Sequence, residues 1–236
     1  MTDDTVRTVV SLCSALCEVP VAVMSDVMAA AGLPDRIISS GLQPLLVPTR
    51  FAGPARCFSG RPGPSAAADP DLVYEADRVI RSGDVVVLDT NGFTTGSVIG
   101  GNTAAGWRQQ GCVGIVTNGL CRDIDDLDGM RGVFALGVTP LSSQGWWHYV
   151  SLYGPVNLPG QTCERVTVSP GDIIHADRDG VAVIPSACAT QLFEDAIVVL
   201  EMERRIRQAI SVGEDRGTAY RANPRFAHVR RVLAGE

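Results

Sequence analysis

Two short β-branched runs, Val85-Val86-Val87-Leu88 and Val113-Gly114-Ile115-Val116-Thr117, stand on either side of one helix-length segment. Each is apolar throughout and bounded by turn-forming residues, as expected of a strand buried on both faces of a sheet. Two strands joined through a helix run parallel, since the crossover carries the chain back to the edge where it started. The pattern restricts the chain to an α/β architecture with both strand-end loops on one edge of the sheet. Asp89 closes the first run, a Gly-rich stretch covers 92–101, and a helix is expected over about 102–110 before Gly111 stops it. The second run ends in Asn118-Gly119-Leu120-Cys121, and Arg122-Asp123 follows directly.

The rest of the chain surrounds this unit with further strands and terminal helices. Val6, Val9, Val10, Cys13 and Cys17 recur at helical spacing, so 5–18 reads as an amphipathic helix interrupted by Pro20. A second helix is expected over 25–31, closed by Gly32, and a third over 71–81, ended by Ser82-Gly83. Residues 41–58 read as one or two strands, and 59–64 as a loop because of their Gly and Pro content. Strands are expected at 133–136, 165–168, 172–176 and 180–184, and a long helix at 186–210 with a charged late face and a polar tail. A single domain over 1–236 is the expectation, with its core at about 15–205.

Of the 236 residues, 45% are hydrophobic and 19% charged, which is a soluble globular composition. The net charge of −6 argues against a nucleic-acid-binding surface as the main business. No apolar run approaches membrane-spanning length, and the acidic start carries no signal-peptide pattern. Seven cysteines without a CxxC spacing read as buried, reduced thiols, so a cytoplasmic location is expected.

Arg122-Asp123 lies where open α/β sheets keep their ligand sites. Arginine offers a planar fork for a carboxylate, and aspartate offers hard oxygens for a divalent cation. A plain surface salt bridge is the competing reading. Gly100-Gly101-Asn102-Thr103 opens the helix before the second strand, where unpaired N–H groups and the helix dipole attract anions. Asn102 acting simply as the helix cap is the alternative there. Trp146-Trp147-His148-Tyr149 reads either as the wall of a larger aromatic pocket, with His148 as acid or base, or as a packed segment between subunits. His175 reads as structural and His228 as exposed.

Taken together, Val85 to Asp89, Val98-Ile99-Gly100-Gly101-Asn102-Thr103-Ala104-Ala105 and Gly114 to Gly119 with Arg122-Asp123 resemble the RraA-like superfamily. That group holds 4-hydroxy-4-methyl-2-oxoglutarate aldolases and regulators of ribonuclease E. Met24-Ser25-Asp26-Val27, the run 133–140, Pro170-Gly171-Asp172 and the run 176–181 extend the resemblance to about residues 15–205. It implies the swivelling-domain fold, a layered β/α sandwich with N- and C-terminal helices, assembled as a homotrimer or homohexamer with sites between subunits. It further implies a lyase of aldolase or decarboxylase type acting on a 2-oxo acid through a pyruvate enolate. Mg²⁺ or Mn²⁺ would sit on Asp123, and Arg122 with the amides of 100–103 would hold the substrate.

One position departs from the family. Its aldolases carry an acid twenty-one residues before the Arg, and Gly101 stands there instead. Asp89, Asp125, Asp126 or an acid from a neighbouring subunit's C-terminal helix are the candidate replacements, although adjacent Asp125 and Asp126 are expected to face solvent. Two alternatives follow from the departure. One is a diverged enzyme performing dehydration, decarboxylation or condensation, and the other is a non-catalytic protein-binding regulator.

Overall fold

The computed structural model describes residues 3–47, 50–64 and 69–232. Helices α1 (Asp3–Leu16) and α2 (Val21–Ala30) precede a short β1 (Gln43–Pro44), the long β2 (Phe51–Pro62) and α3 (Pro70–Val79). Then come β3 (Val85–Asp89), β4 (Ser97–Ile99), α4 (Gly101–Gln109), β5 (Gly114–Thr117), β6 (Leu120–Cys121) and a 3₁₀ turn at Ile124–Leu127. They are followed by β7 (Gly132–Ala135), β8 (Gly137–Val138), β9 (Trp147–Ser151), β10 (Val156–Pro159), β11 (Arg165–Val168), β12 (Ile173–Asp177) and β13 (Gly180–Ile184). Helices α5 (Ala189–Ser211) and α6 (Arg216–Ala222) close the order.

The main sheet runs β1-β7-β5-β3-β2-β12-β13, with β9 also on β2. Strands β2, β3, β5 and β7 are mutually parallel, as the crossover argument requires. Alternation along β3 assigns the layers. Val86 and Leu88 face α3 and α4 in a cluster with Phe58, Ala76 and Trp107. Val85 and Val87 face the opposite way, in a cluster with Phe134 of β7 and with Val156 and Val166 of the β10–β11 hairpin. A third cluster packs α1, α2 and α5 onto Ile173, Ala182 and Ile184. Helix α2 starts directly after Pro20, and the Val21 N–H, which has no partner within the helix, donates to Asp177 Oδ2 at 3.0 Å.

Two expectations require correction here, the loop at 59–62 and the exposure of His228. Residues 59–62 are not loop: β2 continues through them and pairs with β9 after a bulge between Ser59 and Gly60. The glycine is there because a Cβ at position 60 would lie 2.0 Å from the Trp147 ring, so its absence admits the indole rather than marking a turn. The polar tail is docked: Asp195 on α5 is buried and accepts from Arg230 N, Nε and Nη2. His228 is half-buried rather than exposed, its Nε2 lying 3.0 Å from Asp195 O. All seven cysteines are free, and burial pushes Cys57 and Cys121 up to about 12, which keeps them as inert thiols.

Phe58 is fully buried and meets Trp107 and Tyr149 edge-on at centroid distances of 5.7 and 6.3 Å. Phe58→Ala should cost about 3–5 kcal/mol, read as a lowered urea midpoint with an unchanged slope. His175 is fully buried, as its structural reading required, and burial pushes its pKa down from 6.5 to about 4. The unfolded chain therefore takes up a proton at this position near pH 6.5 that the folded chain refuses until about pH 4. Its contribution is intact above pH 6.5 and declines as pH falls through that window, by on the order of 3 kcal/mol at the acid end. Stability profiles of the parent chain and His175→Gln should converge in slope above pH 6.5 and diverge below it.

Candidate active site

Three short parallel strands, β4-β6-β8, form a small sheet of their own. β6 follows the carboxyl end of β5, and β4 leads directly into α4. The backbone N–H of Arg122 extends this pairing by donating to Ile99 O at 2.9 Å, which sets Arg122 beside Gly100. Asp123 then takes a left-handed conformation, φ 55 and ψ 50. A non-glycine residue there costs about 1–2 kcal/mol, least for Asp and Asn. The turn brings the Asp123 carboxylate onto the start of α4, where Gly101 N–H donates to Oδ2 at 3.1 Å and Arg122 Nε lies 3.5 Å from the same oxygen. Gly100 leaves room for this arrangement: a Cβ would stand 2.9 Å from Asp123 Oδ2 and 3.0 Å from Arg122 Nε.

Both side chains remain open to solvent, 39% for Arg122 and 43% for Asp123, and both line a cleft of about 690 Å³. Gly100, Asn102 and Thr103 of the α4 start line it too, with Ser97, Val98 and the 142–145 turn. Its remaining wall comes from α3 and β9: Val73, Tyr74, Asp77, Trp147, His148 and Tyr149. Arg61 Nε donates to His148 Nε2 at 3.5 Å, and the buried Nδ1 has no partner among the described residues. Burial raises the Asp77 carboxyl above the usual carboxylate range, against smaller opposing pulls from Trp107 and Arg78. Burial likewise pushes the Tyr149 phenol up.

The geometry gathers Arg122, Asp123, His148, Gly100, Asn102 and Thr103 around one cleft. Gly101 is different. It is buried, and its amide is taken by Asp123. The helix begins at Gly101 with Gly100 as its cap, so Asn102 is not the cap residue. Among the candidate replacement acids, Asp89 is a structural hub: Oδ1 accepts from Asn91 N and Asn118 Nδ2, each at 2.8 Å. Asp125 and Asp126 are exposed, as expected, but Asp126 also covers Gly101. A Cβ at 101 would lie 2.6 Å from Asp126 Cβ and 2.9 Å from its Oδ2. The tryptophan pair divides, Trp146 lying 56% exposed and Trp147 only 7%. Sequence reasoning missed the contribution of α3 and its cap, namely Asp69, Tyr74 and Asp77, because only tertiary packing brings that helix to β9.

Among the described residues no three His, Cys, Asp or Glu side chains come together as a metal cage. That excludes the all-protein tetrahedral set typical of structural zinc. A hard cation that keeps much of its water and binds through one carboxylate plus substrate oxygens is compatible with Asp123.

The packing at Gly101 makes a specific prediction. Gly101→Asp should destabilise the fold by about 1–3 kcal/mol through overpacking and like charge against Asp126. Adding Asp126→Gly should recover most of that loss in thermal unfolding. Equal stability of Gly101→Asp and the parent chain would contradict the packing described.

Comparison with known proteins agrees with this architecture. The RraA-like family model (Aldolase/RraA) matches residues 21–183. A Burkholderia mallei protein named as a 4-hydroxy-4-methyl-2-oxoglutarate aldolase is 35% identical over 163 residues, covering 69% of this chain and 90% of its own. Protein DlpA of Legionella pneumophila is 28% identical over 192 residues, 80% of this chain, and the match spans only 30% of that longer relative. Among solved structures, an uncharacterized Pseudomonas syringae protein superposes with a TM-score of 0.77 at 26% identity, covering 90% of this chain and 93% of its own. Streptomyces coelicolor RraAS2, described as an unusual member of the RNase ES inhibitor RraA family, superposes with a TM-score of 0.73 at 24% identity over 84% of this chain and 97% of its own, a likeness of fold. With the family model covering well over half of its length, this chain belongs to the RraA-like family.

Proposed function

We propose that this protein is a metal-dependent carbon–carbon lyase of aldolase or decarboxylase type that acts on a 2-oxo acid through a pyruvate enolate. The observation that carries the reading is the convergence of Arg122, Asp123 and the α4 start on one solvent-accessible cleft. In a retro-aldol cleavage a base removes the proton of the 4-hydroxyl and the C3–C4 bond breaks. The bonding electrons move onto the C2 oxygen as an enolate, and a proton delivered to C3 completes pyruvate. Negative charge therefore grows beside the substrate carboxylate, where a fixed cation is worth most.

Arg122 supplies that cation and orients the carboxylate through its planar fork. Asp123 would hold Mg²⁺ or Mn²⁺, which when bound supplies Lewis-acid stabilisation of the developing charge. His148 is the group we assign to proton transfer, because it lines the same cleft. Gly101 contributes backbone alone, through the amide that aligns Asp123. The family's small-molecule aldolase name on the Burkholderia relative supports an enzyme of this class. Assembly into a homotrimer or homohexamer with sites between subunits is part of the same reading.

The enolate-forming half-reaction can be read without the natural substrate. Proton NMR in D₂O should show exchange of the pyruvate methyl protons with Mg²⁺ present and its loss with chelator. Arg122→Ala should slow the exchange by about 10²–10³-fold, the scale of losing one charge-stabilising donor. Exchange that never exceeds the buffer rate, or that ignores Arg122→Ala, would favour the non-catalytic regulator instead.

A further inference from the structure

The ionisable lining of the cleft is lopsided. Among the described residues, Arg122 is its single arginine or lysine, whereas Asp69, Asp77 and Asp123 all line it. The four residues that separate Pro64 from Asp69, outside the described residues, are one serine and three alanines and bring no charge. Arg61 reaches His148 but is not part of the lining. Once Arg122 is engaged by one carboxylate, no further arginine or lysine in the lining remains to receive a second.

The α3–β9 wall is built for something else. Asp77 stands over α4 at Gly106, its carboxylate 3.6–3.7 Å from where a Cβ would be. That is one helical turn past Thr103, about 5 Å along the axis. The rings of Tyr74, Trp147 and Tyr149 line the same cleft. Trp147 and Tyr149 meet edge-to-face with centroids 4.9 Å apart, an arrangement that a further ring can continue. The indole N–H of Trp147 donates to Thr90 O at 3.1 Å, so its one polar atom is already used. The ring is also fixed in place by the backbone of Gly60. A second carboxylate reaching this wall would meet the Asp77 carboxylate, and the arginine that acts on Asp77, Arg78, is not part of the lining.

We propose that the substrate is a monocarboxylate whose end remote from Arg122 carries an uncharged aromatic group, and that the chain discriminates against dicarboxylates long enough to bring their second carboxylate to the α3–β9 wall. The inference rests on Arg122 holding the substrate carboxylate, as argued above. It directs the lyase chemistry away from the diacid named for the Burkholderia relative. One charged pole and one ring-lined, acid-bearing wall select for a molecule that is anionic at one end only.

Isothermal titration of the full chain with Mg²⁺ tests this with three non-cleavable probes: oxalate, 3-phenylpyruvate and 2-oxoglutarate. Oxalate reports the Arg122 pole alone. Phenylpyruvate should bind at least tenfold more tightly than 2-oxoglutarate. Asp77→Asn should narrow that gap by strengthening 2-oxoglutarate at least threefold with oxalate unchanged. Tyr74→Ala, at a side chain 63% exposed and tolerant of truncation, should weaken phenylpyruvate and spare oxalate. If oxalate binds and 2-oxoglutarate equals or exceeds phenylpyruvate, the aromatic assignment is overturned and the Arg122 site stands. If oxalate itself fails to bind, the Arg122 site is overturned and the assignment with it.

Discussion

The site depends on one contact, the Asp123 carboxylate held at the first amide of α4. It joins two segments that sequence separates, the turn after β6 and the start of the crossover helix. The helix end supplies partial positive charge and Arg122 supplies a whole one, so the carboxylate rests between two attractions. The left-handed backbone at Asp123 is the strain accepted for that position. Because both side chains stay about 40% exposed, the contact is screened and can be exchanged for a ligand's charge at modest cost. A rigid backbone thus presents a labile pair of charges, which suits a site that must open and reload.

Glycines shape the cleft by giving volume to other residues. Gly100 leaves room for Arg122 and Asp123, Gly101 for Asp126, and Gly60 for the Trp147 indole. At each, an added Cβ would fall 3.0 Å or less from the neighbouring group. The same economy explains why Gly101 cannot be read as an acid simply deleted from an otherwise intact site. Its space is filled by a carboxylate arriving from the 3₁₀ turn, and the helix start is organised around Asp123 instead.

Much of this was legible beforehand. The run 85–88, the helix after Gly100 and the run 113–117 are local patterns, and the parallel β3–β5 pair followed from them. Arg122-Asp123 could be placed at a strand end because strand ends are also local. The family resemblance extended the same segments to a fold, and the family model matches them. What could not be read depends on long-range packing. Residues 59–62 carry turn composition, yet Gly60 lies in a strand because a tryptophan 87 positions later occupies its missing side chain. Asp77 and Tyr74 resemble ordinary polar residues of an amphipathic helix until α3 docks beside β9. The capture of Arg230 by buried Asp195 was equally hidden, since neither residue signals the other in sequence.

Function therefore turns on whether the Arg122–Asp123 pair yields to a small anion. A crystal structure of the chain with Mg²⁺ and oxalate measures this directly. The account predicts an oxalate carboxylate on the Arg122 guanidinium, with the cation shared between oxalate and Asp123. Arg122 and Asp123 remaining bound only to each other and to Gly101, with oxalate elsewhere or absent from the cleft, would contradict it.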